Sequence, residues 1–459
     1  MIKTAVILAA GKGEKAWPYG ETRAKAVFPV INTPIISLQV RYLRELGVER
    51  FIVVVGYLGQ QVKSAVLREG VDAEFVQQRE MDGPVSGLLD AAELLDEDPV
   101  LVLHGDVVAT PESYKALLDS WKPSMDACLL VHRMGREDPS EWFCASIDGE
   151  RLVSLAFHSR GTYSHRLCGI SILSQKALDY ARSHPGMTTK LDVGAMPTLE
   201  RDLAQTFQDM IDAGEEVGAV ETKGPFVDVD KPWHLLEANG RMADYLASTL
   251  AGNEIDPEAD ISDKADISGF VRIGPGSRIG KNVQIHGNII VGSNTSITNG
   301  AMIGPNVVVG DRTRIRDYCQ VGSHSVIGNE CVVGHCAEFG GVLMNKVYLY
   351  HYCELSGIIG TATDIGAATV CGTLRFDDGR TTHVVKGRKE VPLIGANETY
   401  IGEYCRTGVN AIIMPGVKVG PYSILGPGTI IYKDVPSRTL VLAKQEHVTK
   451  PWGPEKYGW

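Results

Sequence analysis

The residues best suited to chemistry lie close to the start of the chain. Residues 8–30 read LAAGKGEKAWPYGETRAKAVFPV, a glycine-rich loop that gathers Lys12, Lys15 and Lys25 in a protein of formal net charge −11. Glycines after an apolar run turn backbone N–H groups toward a phosphate, and lysine ammonium groups add point charge. Ala10, Gly11, Gly13, Lys15 and Lys25 are therefore candidates for holding a phosphorylated ligand, with Lys12 read as a solvated side chain. A Gly-x-Gly pair alone is weak evidence, because loops also use glycine for conformation.

Such a loop needs a strand to end on it. Residues 4–10 form a suitable apolar run. Residues 51–55 (FIVVV) and 99–103 (PVLVL) are two more, and residues 36–46 have helical spacing. Short apolar runs alternating with amphipathic stretches predict βαβ units, hence an α/β domain with a mixed, mainly parallel sheet. Ligands bind such sheets beyond the carboxyl ends of the strands, where this loop falls.

The second half keeps a different period. From Ile255 to Val333 every sixth residue is isoleucine or valine, and glycine follows many of them. A period of six suits neither a helix nor an alternating strand. It predicts hexapeptide repeats stacked as a parallel β-helix, each aliphatic facing the interior. The grid slips across residues 339–352, breaks at a charged loop over 376–392, and resumes at Ile401, Ile413, Val419 and Leu425. Helical spacing at residues 233–250 joins the halves and reads as a helix packed on the first domain. The domains are thus read as 1–232, a linker helix at 233–252, a β-helix at 253–440 and a tail at 441–459.

Composition removes several classes of function. An acidic chain lacks the basic field of a general nucleic-acid binder. Nine cysteines at irregular spacing, with no CxxC pair, predict reduced thiols rather than a disulfide framework or zinc site. The N-terminal apolar run covers only residues 5–10, too short for a signal segment or a membrane span. The expectation is a cytoplasmic protein with no nucleic-acid or membrane partner.

Gly11, Gly13, Lys15, Pro18, Lys25 and Pro29 follow the spacing G-x-G-x-[RK]-x(2)-P-x(6)-K-x(3)-P. The stretch resembles the signature of sugar-nucleotide pyrophosphorylases, nucleotidylyltransferases that act on sugar 1-phosphates. With its hexad half, the chain resembles the bifunctional N-acetylglucosamine-1-phosphate uridylyltransferase/acetyltransferases, especially the archaeal type. That resemblance implies a Rossmann-like nucleotidyltransferase domain followed by a left-handed parallel β-helix. It also implies Mg2+ as cofactor, an NTP and a sugar 1-phosphate as substrates, and assembly as a homotrimer or dimer of trimers. It places nucleobase reading at Gln78 and Gly83 in QREMDG, with Gln77 as the rival for the first role. Metal binding falls on Asp106 in LVLHGDVV and on Asp228 in FVDVD, where Asp230 competes with Asp228. Lys15, Lys25 and Asp106 become catalytic, and Gly169 contacts the sugar. A turn cap is the alternative reading of Asp106.

The departures from the family pattern are specific. Glu14-Lys15 replaces Thr-Arg, Gly83-Pro84 replaces Gly-Thr, and the sugar-side motifs are replaced by AFHS at 156–159 and Leu167-Cys168-Gly169. Nucleotide and metal groups are mostly kept while sugar-contacting groups change. The expected function is nucleotidyl transfer from an NTP to a sugar 1-phosphate. The alternatives are a bifunctional enzyme that also uses acetyl-CoA, and a catalytically weak relative that binds nucleotide or sugar phosphate for regulation. In the β-helix the resemblance implies acyl-CoA sites near residues 402–428. It puts the acetyl-transfer histidine at Tyr350, with His351 next to it as the candidate base. The expectation is therefore weak or absent transfer to glucosamine 1-phosphate, and a purely structural β-helix is the alternative.

Overall fold

Continuous apolar runs become strands covered on both faces. The computed structural model describes residues 2–95, 99–157, 159–186 and 200–456. In the first half we number the sheet strands β1 (Thr4–Ala9), β2 (Arg50–Val55), β3 (Asp72–Gln77), β4 (Val100–His104), β5 (Ala127–Arg133), β6 (Phe143–Asp148), β7 (Arg151–Phe157), β8 (His165–Leu173) and β9 (Val217–Glu221). They form one sheet in the order β3-β2-β1-β4-β8-β5-β9-β7-β6. The first four are mutually parallel, as the βαβ pattern requires. Beyond β4 the sheet turns largely antiparallel, with β5 and β9 a parallel pair.

Helices lie on both faces. Alternate residues of β1 face opposite ways: Ala5 and Ile7 join Val40 and Leu43 of helix Ile35–Glu45, whereas Val6 packs with Leu88 of helix Pro84–Ala92. Burial on both faces is why these strands read as unbroken apolar runs.

The second half is a stack of parallel strands, mostly of two or three residues, from Glu254–Ile255 to Leu440–Val441. Ile279 stacks on Ile297 and Ile297 on Ile315, the 18-residue advance of a three-sided coil. This column is buried, as the grid predicts. The first coil differs. Ile255 is 45% exposed, and Ile261 and Ile267 are only partly covered, because no coil lies beneath them. The slip in the grid is a shortening. Strand Glu338–Leu343 runs straight past one corner, and the coil advance there falls to 16 residues. The charged interruption contains a β-hairpin, His383–Val385 with Arg388–Glu390.

Helix Pro232–Ser248 packs on both halves, not on the first alone. Its Trp233, Leu235 and Met242 share one core with Phe28 and Ile35 on one side and Val308, Val326, Ile358 and Tyr400 on the other. The residues after the glycine loop rest on the β-helix too. Tyr19 Oη donates to the Ile358 carbonyl at 2.8 Å, and Arg23 Nε donates to Glu403 Oε1 at 2.8 Å. All nine cysteines are free thiols, eight of them buried. Among the described residues no helix is long and apolar enough to cross a membrane.

Candidate functional site

The glycine loop leaves the carboxyl end of β1 and enters a short 3-10 turn, Glu14–Ala16. Gly13 has φ +65°, and a Cβ there would lie 2.5 Å from Lys25 Cγ. Glycine is required on both counts, since the Lys25 stem crosses directly over the loop. Gly11 is exposed, with no heavy atom within 4 Å of where its Cβ would sit. Among the described residues, the N–H groups of Gly11, Lys12 and Gly13 donate to no protein acceptor. A glycine loop with outward amides suits phosphate oxygens. Lys12 is exposed, in keeping with a solvated role. Ala10 is buried, and its carbonyl accepts from Tyr57 N at 3.1 Å.

The carboxylates arrive from two neighbouring segments. Asp106 follows β4 in a turn held by Gln39, whose Nε2 donates to the carbonyls of His104 and Val107 at 2.9 Å each. Strand Phe226–Asp228 pairs antiparallel with Val107–Ala109, and Val229 N donates to the Asp106 carbonyl at 3.0 Å. This ribbon brings Asp228 and Asp230 to Asp106 across more than a hundred residues of sequence. Lys25 Nζ lies 2.5 Å from Asp106 Oδ2 and 3.2 Å from Asp230 Oδ1, and Lys15 Nζ lies 2.9 Å from Asp230 Oδ2.

The two aspartates of the FVDVD segment titrate in opposite directions. Burial and the Asp106 charge push Asp228 up to about 6, with partial relief from Lys25. Burial would raise Asp230 too, but Lys25 and Lys15 outweigh it and hold that carboxyl far below the usual range. Both lysines are held above the ordinary lysine value, because the carboxylates outweigh the cost of burying the ammonium. Asp230 is thus the partner that both lysines share, Asp106 also pairs with Lys25, and Asp106 and Asp228 repel each other. Two hard oxygen donors with mutual repulsion fit a divalent cation. Among the described residues no cluster of three or more His, Cys, Asp or Glu closes around one, so phosphate oxygens and water would complete its shell.

Gln78 follows β3, and its side-chain amide donates to the carbonyls of Glu80 and Gly83 at 2.8 and 3.0 Å, holding its own loop. Gln77 is exposed at the end of β3. Gly83 precedes helix Pro84–Ala92 and packs against the Arg201 backbone. Gly169 sits in an irregularity of β8, where its Cβ would lie 2.7 Å from His104 Nδ1. Within AFHS, His158 lies outside the described residues. His351 lies in the β-helix, exposed at a coil corner with its ring edge-on to Tyr352 at 5.1 Å.

Two residues near the carboxylates escaped sequence reasoning. Arg166 on β8 is only 3% exposed. Its guanidinium pairs with Glu137 at 2.9 Å and lies 3.9 Å from the centre of the Trp142 ring. It also lowers Asp228 slightly. The sequence offered only a weak signal, an arginine beside His165 at the start of β8. His104 is the second. Its Nε2 is buried with no partner among the described residues, and it precedes the Gly105-Asp106 turn.

Fold and site together define a nucleotidyltransferase domain joined to a hexapeptide β-helix. Residues 5–173 match the MobA-like NTP transferase domain, and residues 270–305 and 398–433 match the bacterial transferase hexapeptide of six repeats. The bifunctional protein GlmU of Methanococcus maripaludis strain C7 is 30% identical over 450 residues, covering 97% of this chain and 98% of that protein. The GlmU of Methanocaldococcus jannaschii is 27% identical over 96% of this chain and 98% of its own. A bifunctional sugar-1-phosphate nucleotidylyltransferase/acetyltransferase from Sulfurisphaera tokodaii is 25% identical over 94% of this chain and 98% of its own. The chain belongs to the family of bifunctional GlmU proteins and is an enzyme of the nucleotidyltransferase class.

Proposed function

We propose that the first half transfers a nucleotidyl group from an NTP to a sugar 1-phosphate. An oxygen of the sugar phosphate attacks the α-phosphorus, the α–β bridging bond breaks, and pyrophosphate leaves. Both reactants are anions, so the work is positioning and charge neutralisation. The amides of Gly11 and Gly13 hold the triphosphate, and Lys15 and Lys25 offset its charge. Asp230 fixes both ammonium groups, a role for which its two ion pairs are the support. Asp106 and Asp228 would hold magnesium, which when bound would neutralise phosphate charge. Gln78 and Gly83 shape the loop expected to read the base, and Gly169, packed beside His104, is the residue expected to contact the sugar. The observation that carries this reading is Lys25, laid over the glycine loop and bonded to Asp106. Release of pyrophosphate from NTPs with a panel of sugar 1-phosphates, abolished by chelation, tests it.

A second reading concerns the β-helix. The Sulfurisphaera tokodaii relative is named for acetyl transfer as well, and His351 presents an exposed imidazole at a coil corner. Histidine suits a general base at neutral pH. We propose acetyl transfer from acetyl-CoA to an amino-sugar phosphate as the second activity, in place of the weak transfer expected from the count to Tyr350. Thiol release that disappears in His351→Ala supports this, and no release leaves the β-helix a scaffold. We further propose a cytoplasmic enzyme assembled through the β-helix as a homotrimer or dimer of trimers, with light scattering as the check.

A further inference from the structure

The charged interruption of the hexad grid ends on the nucleotide loop of the other half. Its hairpin turns through Lys386 and Gly387, both with positive φ (47° and 80°), as a two-residue turn between right-twisted strands demands. The base is tied to the coil. Asn397 Oδ1 accepts from Thr381 N at 2.8 Å, His383 donates to the Ala396 carbonyl at 2.8 Å, and buried Lys418 donates to His383 Nδ1 at 3.2 Å. From that base the hairpin reaches the first half at two points. Glu390 pairs with Lys231 at 2.5 Å, both largely buried, and Lys386 at the tip pairs with Glu14 at 2.5 Å.

These points flank the site. Lys231 follows Asp230, Glu14 precedes Lys15, and the Lys15–Asp230 pair closes the ring. A cavity of about 110 Å³ lies inside it, lined by Lys15, Trp17, Trp233, Val385, Lys386 and Lys418 among others. Glu14 is also the residue that puts an unwanted negative charge on a phosphate-binding loop. Its counter-charge comes from a segment outside the hexad pattern. An ion pair this exposed adds little to stability, so its effect falls on the loop it holds.

We propose that Lys386 is a positioning residue for nucleotidyl transfer, delivered by the β-helix to neutralise Glu14 and hold the phosphate loop. The proposal rests on the reading of the first half as the NTP site. The experiment uses the full chain and compares wild type, Lys386→Arg, Lys386→Glu and the swap Glu14→Lys/Lys386→Glu. We expect Lys386→Glu to raise KM for the NTP about tenfold or more with kcat changed less than about threefold. Amide exchange across residues 13–16 should accelerate, and both effects should revert in the swap and be absent in Lys386→Arg. A merely structural contact would not be restored by reversing the charges. Unchanged KM and exchange in Lys386→Glu, or a swap that restores neither, overturns the proposal. A wild type that releases no pyrophosphate overturns the catalytic reading instead, and the exchange data still decide whether the tip holds the loop.

Discussion

The two halves of this chain encode structure over different distances. In the β-helix each interior residue repeats the instruction of the one six positions earlier, and its neighbours lie one coil away. In the nucleotidyltransferase half the pairs that build the site span the domain: Lys15 with Asp230 is separated by 215 residues and Lys25 with Asp230 by 205. Periodic structure tolerates local change and dilutes its consequences, whereas a site assembled from distant segments concentrates them in a few side chains.

The sharpest consequence separates Asp228 from Asp230, two residues apart and alike in chemistry. Asp228→Asn removes a carboxylate facing Asp106. It should raise the divalent-cation concentration for half-maximal activity about tenfold or more and cut kcat/KM by about 100-fold or more. Asp230→Asn removes the partner of two lysines, and should lower kcat/KM about tenfold while leaving the cation dependence in place. Cation titrations of both variants measure this, and equal shifts would merge the two roles.

Within the β-helix the comparison predicts unequal costs at equivalent grid positions. Ile303 is fully buried, so Ile303→Ala should cost about 2–5 kcal/mol. Ile255, on the open first coil, should cost less than about 1 kcal/mol. Denaturant midpoints of the two variants decide it, and equal losses would mean that the end coil is covered.

A smaller effect comes from His132 in the first half, which donates or accepts at 2.8 Å with Thr222 Oγ1. Burial, with help from Arg166, lowers its imidazole to about 4. The unfolded chain takes up that proton near 6.5, so between these values it binds more protons than the native state. The contribution is complete above pH 6.5 and is lost as the pH falls toward 4, on the order of 1–3 kcal/mol. His132→Gln should flatten that part of the stability curve, and an unchanged slope would assign it to other groups.

How far the sequence was legible follows the same division. The hexad grid located the interior column from Ile273 to Val333 without reference to any partner, because each corner is a local event. It misread the end coil at Ile255, where burial depends on a neighbour that is absent. Lys25 and the glycine loop were legible through spacing and Asp106 through the family resemblance, and the structure brings them together. The division of labour between Asp228 and Asp230 was not, since it is set by lysines two hundred residues away. Arg166 was not singled out in the sequence, because its place beside the carboxylates is set by packing on Trp142 and pairing with Glu137. The hairpin was read as a charged loop, because its tip answers to Glu14, far upstream.

The central claim is nucleotidyl transfer at the Lys25–Asp106 site. Phosphorus NMR of NTP and sugar 1-phosphate mixtures, with wild type and Asp106→Asn side by side, follows the α-phosphorus directly. The account predicts that with wild type the α-phosphorus signal moves into a sugar-linked diphosphate as pyrophosphate appears. It predicts a rate at least about 1,000-fold lower in the folded Asp106→Asn variant. Equal rates in the two proteins, or no sugar-linked diphosphate from wild type with any NTP, would contradict it.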